Sequence, residues 1–161
     1  VVSWSTSGVP MKPRASDLTD HVGYWLRYVS NHVSQGFARR LETHGVTVAE
    51  WVLMRQLLDE KALAPSRAAE RMGMTRGAIT KLADRLIAKS LVVRNADPQD
   101  GRAQTLALTS KGRRLVPELA ALADANDSEF FDSLSPKDRA MLLRILKGMV
   151  EARGFKSLPV D

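Results

Sequence analysis

Residues 65 to 110 read PSRAAERMGMTRGAITKLADRLIAKSLVVRNADPQDGRAQTLALTS, and the way this stretch divides decides the fold. Pro65 suits the first position of a short helix, Pro65 to Arg71, because proline lacks only a donor that is unsatisfied there anyway. Ala68, Ala69 and Met72 are its inward residues, and Met72-Gly73-Met74 makes a tight turn. Thr75 then caps a second helix whose apolar stripe, Ile79, Leu82, Ala83, Leu86 and Ile87, follows the helical period. The opposite face carries Arg76, Thr80, Lys81, Asp84 and Arg85. Leu91 to Arg94 and Gln104 to Leu108 are short β-type runs flanking a polar stretch with Asp-Pro and Asp-Gly, which predicts a β-hairpin with a long tip. Short helix, glycine turn, capped helix and hairpin, in that order, make a winged helix-turn-helix.

Upstream, Leu18, Val22, Trp25, Leu26, Val29, Val33, Phe37 and Leu41 recur at three- and four-residue steps, predicting one long amphipathic helix ending near His44-Gly45. A helix longer than one small core needs has surface left for a partner chain. Val46 and Thr47 open the next helix, through Glu60, with Thr47 and Glu50 spaced as a capping box. Downstream, Thr109 caps a helix to about Ser133, with Pro117 inside it as a bending point. Ser135-Pro136-Lys137-Asp138 starts a last helix that ends at Arg153-Gly154. The expected fold is therefore mainly α, a winged helix-turn-helix with a two-stranded β-wing and flanking N- and C-terminal helices. Residues 1–16 read as a flexible arm and 154–161 as a tail around one domain at 17–153. Within it, 46–109 form the DNA-binding part, and 17–45 with 110–153 the outer helices.

The charge is segregated. Lys61 to Arg114 holds twelve Lys and Arg against four acids, while the rest of the chain carries twelve against fourteen. A polyanion-binding face requires this, since each phosphate neutralised by a cation releases a condensed counterion. The absence of cysteine excludes disulfides, thiol catalysis and thiol redox sensing. No apolar run approaches the roughly 18 residues that cross a bilayer, so the expectation is a cytoplasmic, nucleoid-associated protein without a membrane partner. Neither a nucleophile with its base nor a glycine-rich phosphate loop is visible, and an enzyme is not expected. His21, His32 and His44 lie on the first helix, the first two about 16 Å apart, too far for one metal. No cofactor or metal is expected.

In the second helix of the pair, Thr75, Arg76, Gly77, Ala78, Thr80 and Lys81 occupy the first two turns, where side chains reach base edges in a major groove. Arg76 can fork onto guanine, Ala78 and Thr80 can touch a thymine methyl, and Lys81 can meet phosphate. Ser66, Arg67, Arg85 and Arg94 are further candidates for the DNA backbone.

The run Arg94-Asn95-Ala96-Asp97-Pro98-Gln99-Asp100-Gly101-Arg102, followed by Leu106-Ala107-Leu108-Thr109 and Lys111-Gly112, resembles the wing signature of the MarR family. The likeness extends from about Leu18 to Ala152. It implies a two-fold homodimer built by the outer helices, each subunit offering one wing and one recognition helix. It also implies that Arg102 enters the minor groove from the wing tip, with Asp97 in the same turn and Asp100 pairing to an arginine. Two departures stand out: Ser90 where relatives commonly have glycine, and Ala64 at a position that is often polar.

The resemblance implies a sequence-specific transcriptional regulator of double-stranded DNA, a repressor released from a palindromic operator by a small phenolic or anionic effector. Trp25, Tyr28, Trp51, Met54 and Arg55 are candidates for the effector pocket, with core packing as the alternative. The alternative functions are ligand-independent or architectural DNA binding, and a helical protein-binding adaptor.

Overall fold

The structure, a computed structural model, describes residues 15–155. The expected arm and tail fall almost entirely outside them. The described chain divides at His32 into two compact units.

The first unit holds a 3-10 turn, Leu18–Asp20, and the opening of helix α1, Val22–Glu42, which crosses the division. The helix expected to run unbroken from Leu18 is interrupted, because His21 takes an extended backbone (φ −94°, ψ 123°). Local polar contacts hold the break. The Trp25 indole N–H donates to the Thr19 carbonyl at 2.9 Å, and His21 Nδ1 lies 3.0 Å from the Asp17 carbonyl. Leu18, Val22, Trp25 and Tyr28 remain half or more exposed.

The second unit carries the rest of α1, then α2 (Val48–Asp59), α3 (Pro65–Met72), α4 (Arg76–Ala88), β1 (Val92–Ala96), β2 (Gln104–Leu108), α5 (Ser110–Phe131) and α6 (Pro136–Arg153). Four helix starts are written in the sequence and made as written. Thr47, Thr75, Thr109 and Ser135 each accept a hydrogen bond from the backbone N–H three residues on, satisfying a donor the helix cannot. Ala64 before α3 makes no such bond. Gly73 closes α3 in the left-handed region, φ 63°, where a side chain is disfavoured. Ser90 follows α4 at φ 60°, and the bonds Ser90 N–H to Ile87 O and Leu91 N–H to Leu86 O complete a Schellman closure on a non-glycine residue.

Leu41, Leu53, Met54, Leu57, Ile79, Leu86, Leu106 and Leu119 are fully buried and tie α1, α2, α4, β2 and α5 into one core. The strands pair antiparallel from Val92 with Leu108 to Ala96 with Gln104. The first strand runs two residues further into the polar stretch than its β-branched residues suggest, because the ladder continues through Asn95 and Ala96. A second pairing was not foreseen. Leu63 exchanges both backbone hydrogen bonds with Leu106, at 2.9 and 2.8 Å, so β2 is bonded on both edges.

The root of the wing is clamped to α5. The Thr109 hydroxyl donates to Ser90 O at 2.7 Å and accepts from Gly112 N at 3.0 Å, while Thr109 N donates to Leu91 O. Gly112 is required there: a Cβ would lie 2.2 Å from Leu91 O. Helix α6 contributes no buried residue, and Leu143, Ile145, Met149 and Val150 are about half exposed on this single chain.

Candidate nucleic-acid interface

The first two turns of α4 are presented outward because its apolar stripe, Ile79, Leu82, Ala83 and Leu86, is taken up by the core. Thr75 accepts from Ala78 N at 3.2 Å, which starts the helix at Arg76. Arg76, Gly77, Thr80 and Lys81 are exposed and Ala78 is half-buried. Thr80 spends its hydroxyl proton on the Arg76 carbonyl at 3.0 Å, so toward a ligand it offers a methyl and acceptor lone pairs. A Cβ at Gly77 would meet only Thr75 Oγ1, 4.0 Å away.

The wing tip is shaped by its two acids acting on backbone. Asp97 Oδ1 accepts from Gln99 N at 2.8 Å, and Asp100 Oδ1 from Arg102 N at 3.0 Å. Asp97 N donates to Ala103 O, and the turn bond from Ala103 N to Asp100 O closes the loop. The expectation that Asp100 pairs with an arginine side chain is therefore corrected: its carboxylate caps its own turn. The arginine ion pair of the wing is Arg94 to Asp84, at 2.8 Å, joining β1 to the polar face of α4. Arg102 stands exposed beyond that turn.

Among the described residues Arg76, Lys81 and Arg102 make no ion pair, so their charges are available to an external anion. The backbone candidates differ. Arg67 is paired with Glu70 at 3.0 Å, Arg94 with Asp84, Arg85 with Glu50 at 3.2 Å, and Ser66 is half-buried in the first turn of α3.

Glu50 plays a part the sequence did not signal. Beyond its capping bond, in which Oε2 accepts from Thr47 N at 2.9 Å, its side chain is wholly buried and receives Lys89 Nζ at 2.7 Å. Oε1 forms no hydrogen bond, and Arg85 Nε, 3.2 Å away, acts on it by charge. Burial pushes the carboxyl upward. The Lys89 hydrogen bond, the Thr47 N–H and the charges of Lys89 and Arg85 outweigh burial and hold it below the usual carboxylate range.

The expected effector residues are dispersed in role. Met54 is fully buried, Trp51 packs edge-on against Phe37 with centroids 6.2 Å apart, and Arg55 pairs with Asp59 at 2.7 Å. In the first unit Trp25 and Tyr28 are exposed, and Tyr28 stacks on His32 at 4.7 Å. An open groove of about 310 Å³ lies between α1 and α5, lined by Gly36, Arg39, Arg40, Asn126, Glu129 and Phe130, none of them an expected pocket residue. Among the described residues no cluster of His, Asp or Glu could hold a metal, and no helix is long and apolar enough to cross a membrane.

The MarR family pattern matches residues 44–103. A protein of Thauera aromatica named for transcriptional regulation of the hcr operon is 29% identical over 145 residues, 84% of this chain and 87% of that one. The HTH-type transcriptional repressor MdtR of Bacillus subtilis is 26% identical over 138 residues, 86% of this chain and 89% of its own. In structure, CouR of Rhodococcus jostii, solved with p-coumaroyl-CoA bound, superposes with a TM-score of 0.75 at 24% identity, over 91% of this chain and all of the other. The Thauera and Bacillus proteins are named as regulators rather than as enzymes, and the fold and the wing resemblance agree with that class.

Proposed function

We propose that this chain, a winged helix-turn-helix transcriptional regulator of the MarR type, represses transcription as a homodimer bound to a palindromic operator and leaves it when a small phenolic or anionic molecule binds. The observation that carries the reading is the set of exposed cations without an internal anion, Arg76 and Lys81 on α4 and Arg102 at the wing tip. In this reading Arg76, Gly77, Ala78, Thr80 and Lys81, led by Thr75, face base edges in the major groove. Arg102 reaches the minor groove on a turn built by Asp97 and Asp100. The apolar residues left exposed on α6 and, separately, on the first unit support the dimer. Two-fold symmetry then sets half-sites about one helical turn apart. Residues 46–109 serve as the DNA-binding part and the flanking helices as the dimerisation part.

Selection from a random duplex pool, followed by titration of the chosen sequence at several salt concentrations, tests the core of this reading. A palindromic site and a log-log slope of several units are the expected results. A flat plot from about 50 to 200 mM salt contradicts phosphate contact. For the trigger, CouR in its complex with p-coumaroyl-CoA makes aromatic acids and their thioesters the first panel. Loss of operator affinity with one of them supports release, and indifference to all favours the ligand-independent regulator.

A further inference from the structure

The buried carboxylate of Glu50 does more than cap α2. A capping box needs only an acceptor for the N-cap N–H, which a neutral glutamine supplies equally well. Here the side chain is charged, wholly buried, and met by two cations four residues apart at the C-terminal end of α4, Arg85 in its last turn and Lys89 at its C-cap. Lys89 is itself held twice more. Its Nζ donates to Gly45 O at 2.7 Å, and its carbonyl accepts from Lys111 Nζ at 3.1 Å. The end of α4 remote from the base-facing turns is thereby tied to the start of α2 and the start of α5 by directional polar bonds. The other buried residues of α4 and α2, Ile79, Leu82, Ala83 and Leu86 with Leu53, Met54 and Leu57, are apolar and offer no directional bond.

Geometry gives this tie leverage. Thirteen residues of helix span about 20 Å, so a tilt of about 10° at the Lys89 end moves the Arg76 end by about 3 Å. Hydrogen bonds to base edges survive displacements of only a few tenths of an ångström, whereas phosphate attraction is long-ranged and tolerant. The pair adds little net stability, since both cations reach solvent, but the Lys89–Glu50 hydrogen bond is directional and constrains how the two residues meet.

We infer that Glu50 is a positioning residue for DNA recognition: through Lys89 and Arg85 it sets the angle of α4 against α2, and so governs discrimination between operator and other DNA. The inference rests on the DNA-binding reading above. Its test is a pair of affinities for the full chain, for the duplex selected by the wild type and for a random-sequence duplex, at fixed salt and well below each variant's melting temperature.

Glu50→Gln keeps the capping acceptor and removes the charge. The expected result is an operator affinity lowered about tenfold with random-duplex affinity within twofold of wild type. Adding Lys89→Gln to it should lower the ratio by less than Lys89→Gln does in the wild type, because the two substitutions share the Glu50–Lys89 contact. A Glu50→Gln protein that melts earlier yet keeps the full ratio overturns the inference and leaves Glu50 a cap. Should that variant not fold, Lys89→Gln alone, on the more exposed side of the pair, is read by the same ratio, and an unchanged value overturns the inference equally. A wild-type chain that selects no duplex overturns the DNA reading itself. An unchanged ratio in the variants overturns only the role of Glu50.

Discussion

At the residue scale, Arg102 and Glu50 illustrate opposite uses of charge. Arg102 is exposed on a turn whose two carboxylates cap backbone N–H groups, and among the described residues it makes no ion pair. Arg102→Ala is expected to weaken operator binding by about 1–3 kcal/mol while leaving the melting temperature unchanged, as read by a mobility-shift titration and a thermal scan. Glu50 is instead consumed by the fold. Because its carboxyl sits below the ordinary range in the folded chain, its contribution is fully present above the unfolded value near 4.5. That contribution is lost as pH falls through the lowered folded value. Denaturant midpoints measured from pH 7 down to pH 3 should therefore fall more steeply for the wild type than for Glu50→Gln, and parallel curves would contradict this assignment.

At the scale of elements, the junction of wing and α5 is the least tolerant point. A methyl group at Gly112 would press on Leu91 O and on Leu108, so Gly112→Ala is expected to cost about 3 kcal/mol, measurable as a shifted denaturation midpoint. A midpoint within 0.5 kcal/mol of wild type would show that the root of the wing can yield. The elements themselves were legible because their signals are short-range: four Ser or Thr caps, Pro65, Pro136 and Gly73 act within one turn of where they stand. What escaped the sequence depends on partners far along the chain. Glu50 looks identical in a buried or a solvated capping box. Leu63 pairs through a single residue, too short for any periodicity, and Asp84 with Arg94 joins two elements whose facing sides only the fold defines. In the interface, the outward face of α4 and the wing-tip arginine were readable from pattern and family likeness. The internal engagement of Arg85 and Arg94 was not, since a carboxylate partner in space leaves no mark in sequence.

For the whole molecule, the amount of apolar side chain left uncovered is the governing fact. Helix α6 alone exposes Leu143, Ile145, Met149 and Val150, each 47–53% accessible. Replacing Ile145 with Asp is expected to shift the assembly from dimer to monomer at micromolar concentration, seen by light scattering, and to abolish cooperative operator binding while the second unit keeps its helical circular dichroism. A stable monomer in the unaltered protein would instead remove the two-fold operator.

The double pairing of β2 bears on motion. Because Leu106 is bonded to Leu63 by both its backbone groups and is itself fully buried, the root of the wing cannot open without breaking into the core. The loop at 97–103 is held only by a few bonds at the surface. Amide hydrogen exchange should thus fall steeply along the hairpin, fastest around Gly101 and slowest at Leu106, and a uniform rate would deny the gradient. The wing is then a whip with a fixed handle: in the proposed complex its arginine would adjust to the width of a groove without disturbing the helix proposed to read bases.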